Sequence, residues 1–151
     1  MIDADIHHES VTVGDLLPWL DPGIRRYVET SNFGLPGALY PNPHHYVRRD
    51  AMVEPGDMDG ALRLMREQLL DAYPVEYAVV NGGGHVMLLQ CLANANVASE
   101  LAAGWNRWLT EDWLPRDERL RGSMLVAPQD PIRAAPRSAR CASGPGSSRS
   151  S

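Results

Sequence analysis

Met1-Ile2-Asp3-Ala4-Asp5-Ile6-His7-His8-Glu9 opens the chain with the alternation of a β-strand. Side chains of a strand point alternately to its two faces, so acidic and imidazole groups should share one face and apolar groups the other. The polar set is Asp3, Asp5 and His7, and the apolar set is Ile2, Ala4 and Ile6. If helices cover the apolar face, the polar face points into a barrel or cleft, where such groups need a partner or a cation.

Asp5 and His7 are the candidate metal ligands of this strand. They lie two residues apart near its end, so a carboxylate oxygen and a neutral ring nitrogen can reach one divalent ion. The alternative is a simple pair at an exposed strand end, between Asp5 and either His7 or His8. An Asp-x-His triplet is short enough to arise by chance, so the spacing alone leaves both interpretations open.

Length and composition indicate one globular domain. The chain has 151 residues, of which 44% are hydrophobic, and a domain of this size can bury about 70% of its unfolded surface. Its formal net charge is -5, whereas nucleic-acid binders and proteins held on anionic lipid need a basic face. We therefore expect no nucleic-acid or membrane partner, and a small molecule or another protein instead.

The sequence also predicts a cytoplasmic protein. Its N-terminus is acidic where a signal peptide would be basic, and no apolar run reaches membrane-spanning length. The two cysteines, Cys91 and Cys141, are far apart in unlike surroundings. That spacing fits neither a disulfide framework nor a zinc knuckle, so we expect reduced thiols.

A long tract rich in proline and glycine follows the first strand, up to about Asp57. Short helices are predicted for Val13 to Leu20 and Pro22 to Glu29, the second opened by Asp21 as its cap. Loops of this length are usually functional or disordered, and the aromatic residues of the tract offer surface to pack. We expect an ordered insertion at the mouth of the site.

Histidines outside the first strand are weaker candidates. His44 and His45 are adjacent in the proline-rich tract, where such histidines are more often exposed than ligating. The run Gly82 to Gly84, with His85, follows a predicted strand, but it lacks both the Lys-Ser/Thr pair of a phosphate loop and the spacing of a dinucleotide fingerprint. A close backbone approach to a ligand or a hinge is the more natural interpretation.

The second half of the chain alternates helices and strands. Met58 to Tyr73 has apolar residues on one helical face, with Asp57 as candidate cap, and Pro74 should end it. Val75 to Asn81 is a nearly continuous apolar run, typical of a strand covered on both faces. A helix followed by such a strand suggests a parallel sheet.

A second strong helix is predicted from a cap at Asn94 or Asn96 to about Trp113. Its tryptophan stripe is far more typical of a core than of a cofactor site. Leu120 to Ala127 is the third predicted strand, so the order is strand, helix, strand, helix, strand.

The pattern breaks after the third strand. Asp130 as cap and Pro131 at the first helical position should open another helix, yet from Ala134 the chain has no acidic and no large apolar residue. We expect this helix to be missing and residues 134–151 to be disordered. Such a composition is also typical of a GC-rich gene translated in a wrong frame, so our hypothesis is a frameshift near Ala134, with an ordinary flexible tail as the alternative.

The layout of residues 1–133 resembles the N-terminal part of the amidohydrolase superfamily, in the branch that includes aminocarboxymuconate semialdehyde decarboxylase and resorcylate decarboxylase. No single segment is decisive, but their order and spacing are specific. The matching segments are Ile2 to His7, Arg48 to Ala51, Leu64 to Tyr73, Ala103 to Leu114, Arg119 to Ser123 and Pro128 to Pro131.

The resemblance implies an α/β chain that forms about three strand–helix units of a (β/α)8 barrel, whose site lies at the carboxyl ends of the strands. It also implies that Asp5 and His7 bind a divalent metal, zinc or manganese, with Asp5 in place of the histidine commonest at that position. Such a metal supports hydrolysis or non-oxidative decarboxylation of a small molecule. The other family ligands would lie beyond this chain.

We therefore expect residues 1–133 to be a partial barrel, inactive alone and binding metal weakly, because a catalytic zinc site needs three protein ligands. No catalytic residue can be assigned. An exposed sheet edge predicts self-association, including a homo-oligomer. The alternative is a non-catalytic α/β protein that pairs this edge with another chain, using Trp105, Trp108 and Trp113 as anchors.

Overall fold

Three parallel strands form one sheet in the computed structural model, which describes residues 1–8, 11–31, 33, 48–82 and 88–135. The strands are β1 (Ile2–His8), β2 (Tyr77–Gly82) and β3 (Leu120–Gly122). They lie in the order β1-β2-β3, with β2 hydrogen-bonded to both neighbours. Helical segments fall between consecutive strands, so the protein has the predicted mixed α/β architecture with a parallel sheet.

The helices are short, and two of them continue as π-helix. α1 (Val13–Leu16) runs into a 3₁₀ turn at Leu17–Trp19, and α2 is Pro22–Thr30. α3 (Met58–Met65) continues as π-helix over Arg66–Leu70. α4 (Ala95–Trp108) continues as π-helix over Leu109–Trp113 and a 3₁₀ turn at Leu114–Arg116. Further 3₁₀ turns are Arg49–Ala51 and Leu88–Cys91.

Three predicted helix caps are confirmed. The side chains of Asp21, Asp57 and Asn94 each accept hydrogen bonds from backbone N–H groups at the start of α2, α3 and α4. Asn94, and not Asn96, is thus the cap of α4. Thr12 forms a capping box at α1 that the sequence interpretation did not include. Each cap satisfies donors that the first helical turn leaves unpaired.

Apolar side chains of all three strands join the core on one face of the sheet, called here the covered face. They are Ile6, Ala78, Val80 and Leu120, each at most 9% exposed. Helical residues complete the same cluster, and among the largest are Leu62, Leu70, Leu101, Trp105, Trp108 and Trp113. The three tryptophans are 0%, 2% and 0% exposed, respectively, so the core role of the stripe is confirmed and their use as surface anchors is wrong.

The other face of the sheet, called here the open face, is only partly covered by the described residues. Ile2 pairs with Tyr77 in the β1–β2 register, and their exposures are 62% and 36%. Arg121 pairs with Val79 and places its guanidinium 4.2 Å from the centre of the Tyr77 ring. β2 was predicted to be covered on both faces; within the described residues it is fully covered on one.

A β-bulge between Asp3 and Ile6 changes the faces predicted for β1. Asp3 pairs with Ala78, whereas His7 pairs with Asn81. These partners are three residues apart, so Asp3 and His7 lie on opposite faces. The prediction that Asp3, Asp5 and His7 share one face is therefore wrong. Asp3 instead stabilises the bulge, because its Oδ1 accepts a hydrogen bond from the backbone N–H of Asp5 at 3.1 Å.

A buried aspartate joins the helix before β2 to the start of β3. The Asp117 side chain is 6% exposed, and Arg66 and Arg119 each place Nε 2.9 Å from one of its oxygens. The guanidinium of Arg119, helped by Arg66, lowers the pKa of Asp117 well below its usual range, against the opposing effect of burial. Arg119 also donates to the carbonyl of Leu70 at 2.6 Å.

Several predictions concern the chain beyond β3. Residues 131–135 are helical, and Asp130 Oδ1 accepts from the backbone N–H of Arg133 at 3.2 Å. The missing helix therefore begins after all, and the expectation of its absence is wrong for this first turn. Residues 136–151, including Cys141, lie outside the described residues. Cys91 is a free, exposed thiol, and none of the described helices has the length and apolar character needed to cross a membrane.

Candidate functional site

Polar side chains gather at the carboxyl end of the sheet. Asp5 and His7 lie in the last half of β1, Asn81 is near the end of β2, and Ser123 follows β3 directly. Because the strands are parallel, their carboxyl ends meet at one edge, which is where α/β proteins commonly place ligands. Asp5 and His7 were predicted to belong to the site, and Asn81 and Ser123 were not.

The structure brings the two predicted ligands together. Asp5 Oδ1 lies 3.1 Å from His7 Nε2, and the two side chains are 75% and 38% exposed. Beyond the bulge, His7 is paired with Asn81 of β2. The geometry fits both interpretations left open by the sequence, a metal-ligand pair and an Asp–His ion pair at an exposed strand end.

The second nitrogen of the His7 ring has a backbone partner. Nδ1 lies 3.3 Å from the carbonyl oxygen of Gly82, on the neighbouring strand. Both ring nitrogens thus face an oxygen, and a neutral ring can donate to only one of them. With the proton on Nδ1 and directed at Gly82, the Nε2 lone pair is free for a cation, which is the arrangement that metal-binding histidines usually show.

The distance between the two donor atoms allows a shared ion. Ligand bonds of about 2.1 Å place neighbouring donors about 3.0 Å apart in an octahedron and about 3.4 Å apart in a tetrahedron. The observed 3.1 Å between Asp5 Oδ1 and His7 Nε2 lies between these values. Within the described ranges, however, no cluster of three or more His, Cys, Asp or Glu side chains can hold a metal. The pair supplies two donors of a site that needs more.

Asn81 links the pair to the third strand. Its Nδ2 donates to Asp5 Oδ1 at 2.8 Å and to the Ala4 carbonyl at 3.2 Å, and its Oδ1 accepts from the hydroxyl of Ser123. Sequence reasoning missed both residues. Asn81 stands where a predicted apolar run ends, and that position, at the carboxyl end of a parallel strand, is the signal that could have found it. Ser123 lies inside the strand predicted for Leu120 to Ala127, so no local pattern marks it.

Other candidates from the sequence cannot be placed. His44, His45, Gly83, Gly84 and His85 lie outside the described residues. Gly82 is the last residue of β2, and its carbonyl is the one that faces His7.

Comparison of the chain with protein-family models and with curated proteins gives no match.

Proposed function

We propose that this chain is the N-terminal part of a metal-dependent hydrolase or non-oxidative decarboxylase of the amidohydrolase type, with Asp5 and His7 as two of the metal ligands. One observation carries the proposal. His7 directs Nδ1 at the Gly82 carbonyl while its Nε2 converges with Asp5 Oδ1 at 3.1 Å. A backbone acceptor at Nδ1 supports the tautomer that a metal ligand requires.

The sheet supports a barrel origin for the fragment. Its core lies on the covered face, while Ile2 and Tyr77 remain exposed on the open face. In a (β/α)8 barrel the helices cover the outside of the sheet and the other face becomes the packed interior. Apolar residues toward the strand starts and polar residues at the carboxyl ends of the open face fit such an interior, with the site at its top.

The residues of this chain would act by binding and orientation. Asp5 and His7 would hold the divalent ion, zinc or manganese, from one side. When bound, that ion would act as a Lewis acid toward a carbonyl or carboxylate of a small-molecule substrate. Two ligands bind a metal weakly and leave the site incomplete, so we expect this chain alone to be inactive. We place the complete enzyme in the cytoplasm, in keeping with the exposed free thiol of Cys91.

A second, non-catalytic function has one observation in its favour. β1 is an edge strand of the sheet. Its first residue, Ile2, is 62% exposed, and Met1, which precedes it, is 57% exposed. Exposed apolar edge strands pair readily with another chain. Self-association into a homo-oligomer would therefore use this strand edge.

Metal binding by the purified chain tests the enzyme proposal. Calorimetric titration with Mn²⁺ and with Zn²⁺ should give one site per chain, lost in Asp5→Ala and in His7→Ala. Asp59→Ala is the matched control, because that carboxylate is 94% exposed and pairs with Arg116 on a helix. A metal-free chain that forms a stable oligomer in light scattering, and in which Asp5→Ala changes nothing, would favour the second function.

DNA sequencing tests the proposal that this chain is a fragment of a longer enzyme. Sequencing across the codons for Pro128 to Arg140 and translating the downstream DNA in three frames should show another frame that continues with an amphipathic helix. Later strands in that frame should supply a histidine and an aspartate. A correct frame with no continuation would remove the barrel proposal.

A further inference from the structure

We propose that Asn81 is a positioning residue, which holds the Asp5 carboxylate in place for the metal, and that Ser123 anchors the Asn81 side chain by a hydrogen bond to its amide oxygen. The inference rests on the proposed function, since it concerns the same metal pair. It adds two residues, from the second and third strands, that the resemblance does not assign.

The orientation of the Asn81 amide follows from its three partners. Nδ2 faces two acceptors, Asp5 Oδ1 and the carbonyl oxygen of Ala4, at 2.8 and 3.2 Å. Ser123 donates its hydroxyl proton to Oδ1. Turning the amide over would point its oxygen at two oxygens and its NH₂ group at the hydroxyl, so both hydrogen bonds to the Asp5 side would be lost. The oxygens of Asp5 and Ala4 therefore set the orientation in which Asn81 donates to Asp5, and the Ser123 hydroxyl adds a hydrogen bond to the amide oxygen in that orientation.

Among the described residues, the Asp5 carboxylate pairs with Asn81 and His7. Its side chain is 75% exposed and lies in a bulge, where β1 departs from its regular pairing. The Asn81 donor holds Oδ1, the same oxygen that lies 3.1 Å from His7 Nε2. A carboxylate held in this way keeps its ligand geometry before the ion arrives, which is the usual effect of outer-shell hydrogen bonds on metal ligands.

The chain of contacts also ties the ligand on β1 to the sheet as a whole. Ser123 is anchored by its own backbone, because its N–H donates to the carbonyl of Val80 at 2.9 Å. The carboxylate on the first strand is thus ordered through the second strand by a residue that follows the third.

The test compares metal affinity in four variants of the chain, with Mn²⁺ and Zn²⁺ as the probes. Asn81→Ala should weaken binding about 10- to 100-fold, within the range found when outer-shell partners of metal ligands are removed. Ser123→Ala should weaken it less, since the Asn81 amide loses one anchor but keeps both of its hydrogen bonds on the Asp5 side. Ser123→Thr keeps a hydroxyl and should restore the wild-type affinity. Asp59→Ala, which removes an exposed partner of Arg116, should bind as the wild type does.

A structural role alone would not produce this pattern. The positioning role requires that Asn81→Ala and Ser123→Ala retain the wild-type thermal midpoint within a few degrees while losing affinity, and that Ser123→Thr rescues it. Unchanged affinity in Asn81→Ala, with the wild type binding metal, would overturn the positioning role and leave the proposed function standing. Absence of metal binding in the wild type would overturn the proposed function, and the role of Asn81 with it.

NMR spectroscopy without metal tests the hydrogen bonds of Asn81 even in a variant that has lost metal binding. The side-chain amide resonances of Asn81, assigned by their loss in Asn81→Ala, should shift in both Asp5→Ala and Ser123→Ala. Amide resonances that neither substitution moves would show that Asn81 does not bridge the two residues, and would overturn the inference.

Discussion

Removing the Asp117 carboxylate should destabilise the chain more than any other single change of charge among the described residues. This side chain is 6% exposed and accepts four hydrogen bonds. Arg119 donates from its backbone N–H, Nε and Nη2, and Arg66 donates from Nε, at 2.9 to 3.1 Å. The contacts join Arg66, the first residue of the π-helical segment that follows α3, to the turn before β3.

The expected loss in Asp117→Ala is about 3 kcal/mol of unfolding free energy. Breaking a buried ion pair costs about 3–5 kcal/mol when the remaining charge stays buried. Here Arg66 and Arg119 are 40% and 26% exposed and keep other acceptors, the Arg116 carbonyl for Arg66 and the Leu70 carbonyl for Arg119. Both can regain water in part, which places the loss at the lower end of the range.

Urea unfolding followed by tryptophan fluorescence measures this loss, because Trp105 and Trp113 are fully buried and report on the core. The matched control is Asp59→Ala, which removes a 94% exposed partner of Arg116 and should cost less than about 1 kcal/mol. If Asp117→Ala loses no more than this control, the contacts of Asp117 do not stabilise the fold and the reasoning is refuted.

Three further predictions follow from single contacts. Arg119 and Arg66 lower the pKa of Asp117, so its contribution to the unfolding free energy is complete above the unfolded pKa of about 3.9 and is lost as the pH falls below that value. Urea unfolding from pH 8 to 3 should therefore show a constant difference in unfolding free energy between the wild type and Asp117→Asn, which narrows below about pH 4. Gly122→Ala should cost about 1–3 kcal/mol by overpacking, since a Cβ would lie 2.6 Å from Leu109 Cδ2; a midpoint of urea unfolding equal to that of the wild type would contradict it. Asn106 both donates to and accepts from the Leu125 backbone, at 2.7 and 2.8 Å. Asn106→Ala should therefore lower the unfolding free energy by about 2 kcal/mol in the same assay and speed hydrogen exchange of the Leu125 amide. Slow exchange of that amide in the variant would exclude this role.

Features set by neighbouring residues were predictable from the sequence. The cap at Asp57 and the apolar stripe of α3 depend on spacings of three and four residues. The cap occurs as expected, and Leu62, Met65 and Leu69 of the predicted stripe join the core, whereas Tyr73 is 56% exposed. Long-range contacts changed the ends of elements. The helix was expected to reach Tyr73 but ends at Leu70, whose carbonyl is taken by Arg119.

Predicted strand ends were altered in the same way. β3 was expected to continue to Ala127 but ends at Gly122, since Asn106 binds the backbone of Leu125 in place of a neighbouring strand. In each case the competing partner lies many residues away, where no local pattern can indicate it.

The candidate site was predictable to about half of its members. Asp5 and His7 were found because a strand period and a resemblance both point to them. Asn81 and Ser123 were missed because their importance lies in pairing across strands, which depends on register. The bulge in β1 was equally invisible, since an Asp side chain that bonds a backbone N–H two residues on can stabilise many local structures.

The bulge divides β1 into two segments with opposite phase. Before the bulge, the even-numbered Ile2 pairs with Tyr77 and lies on the open face. After the bulge, the even-numbered Ile6 pairs with Val80 and lies on the covered face. Tolerance to substitution along β1 should therefore not follow one two-residue alternation over the whole strand. Ile2 should accept polar replacements that Ile6 rejects, although the two are the same residue an even number of positions apart. In natural variants of this strand, the alternation of polar and apolar positions should shift by one residue at the bulge.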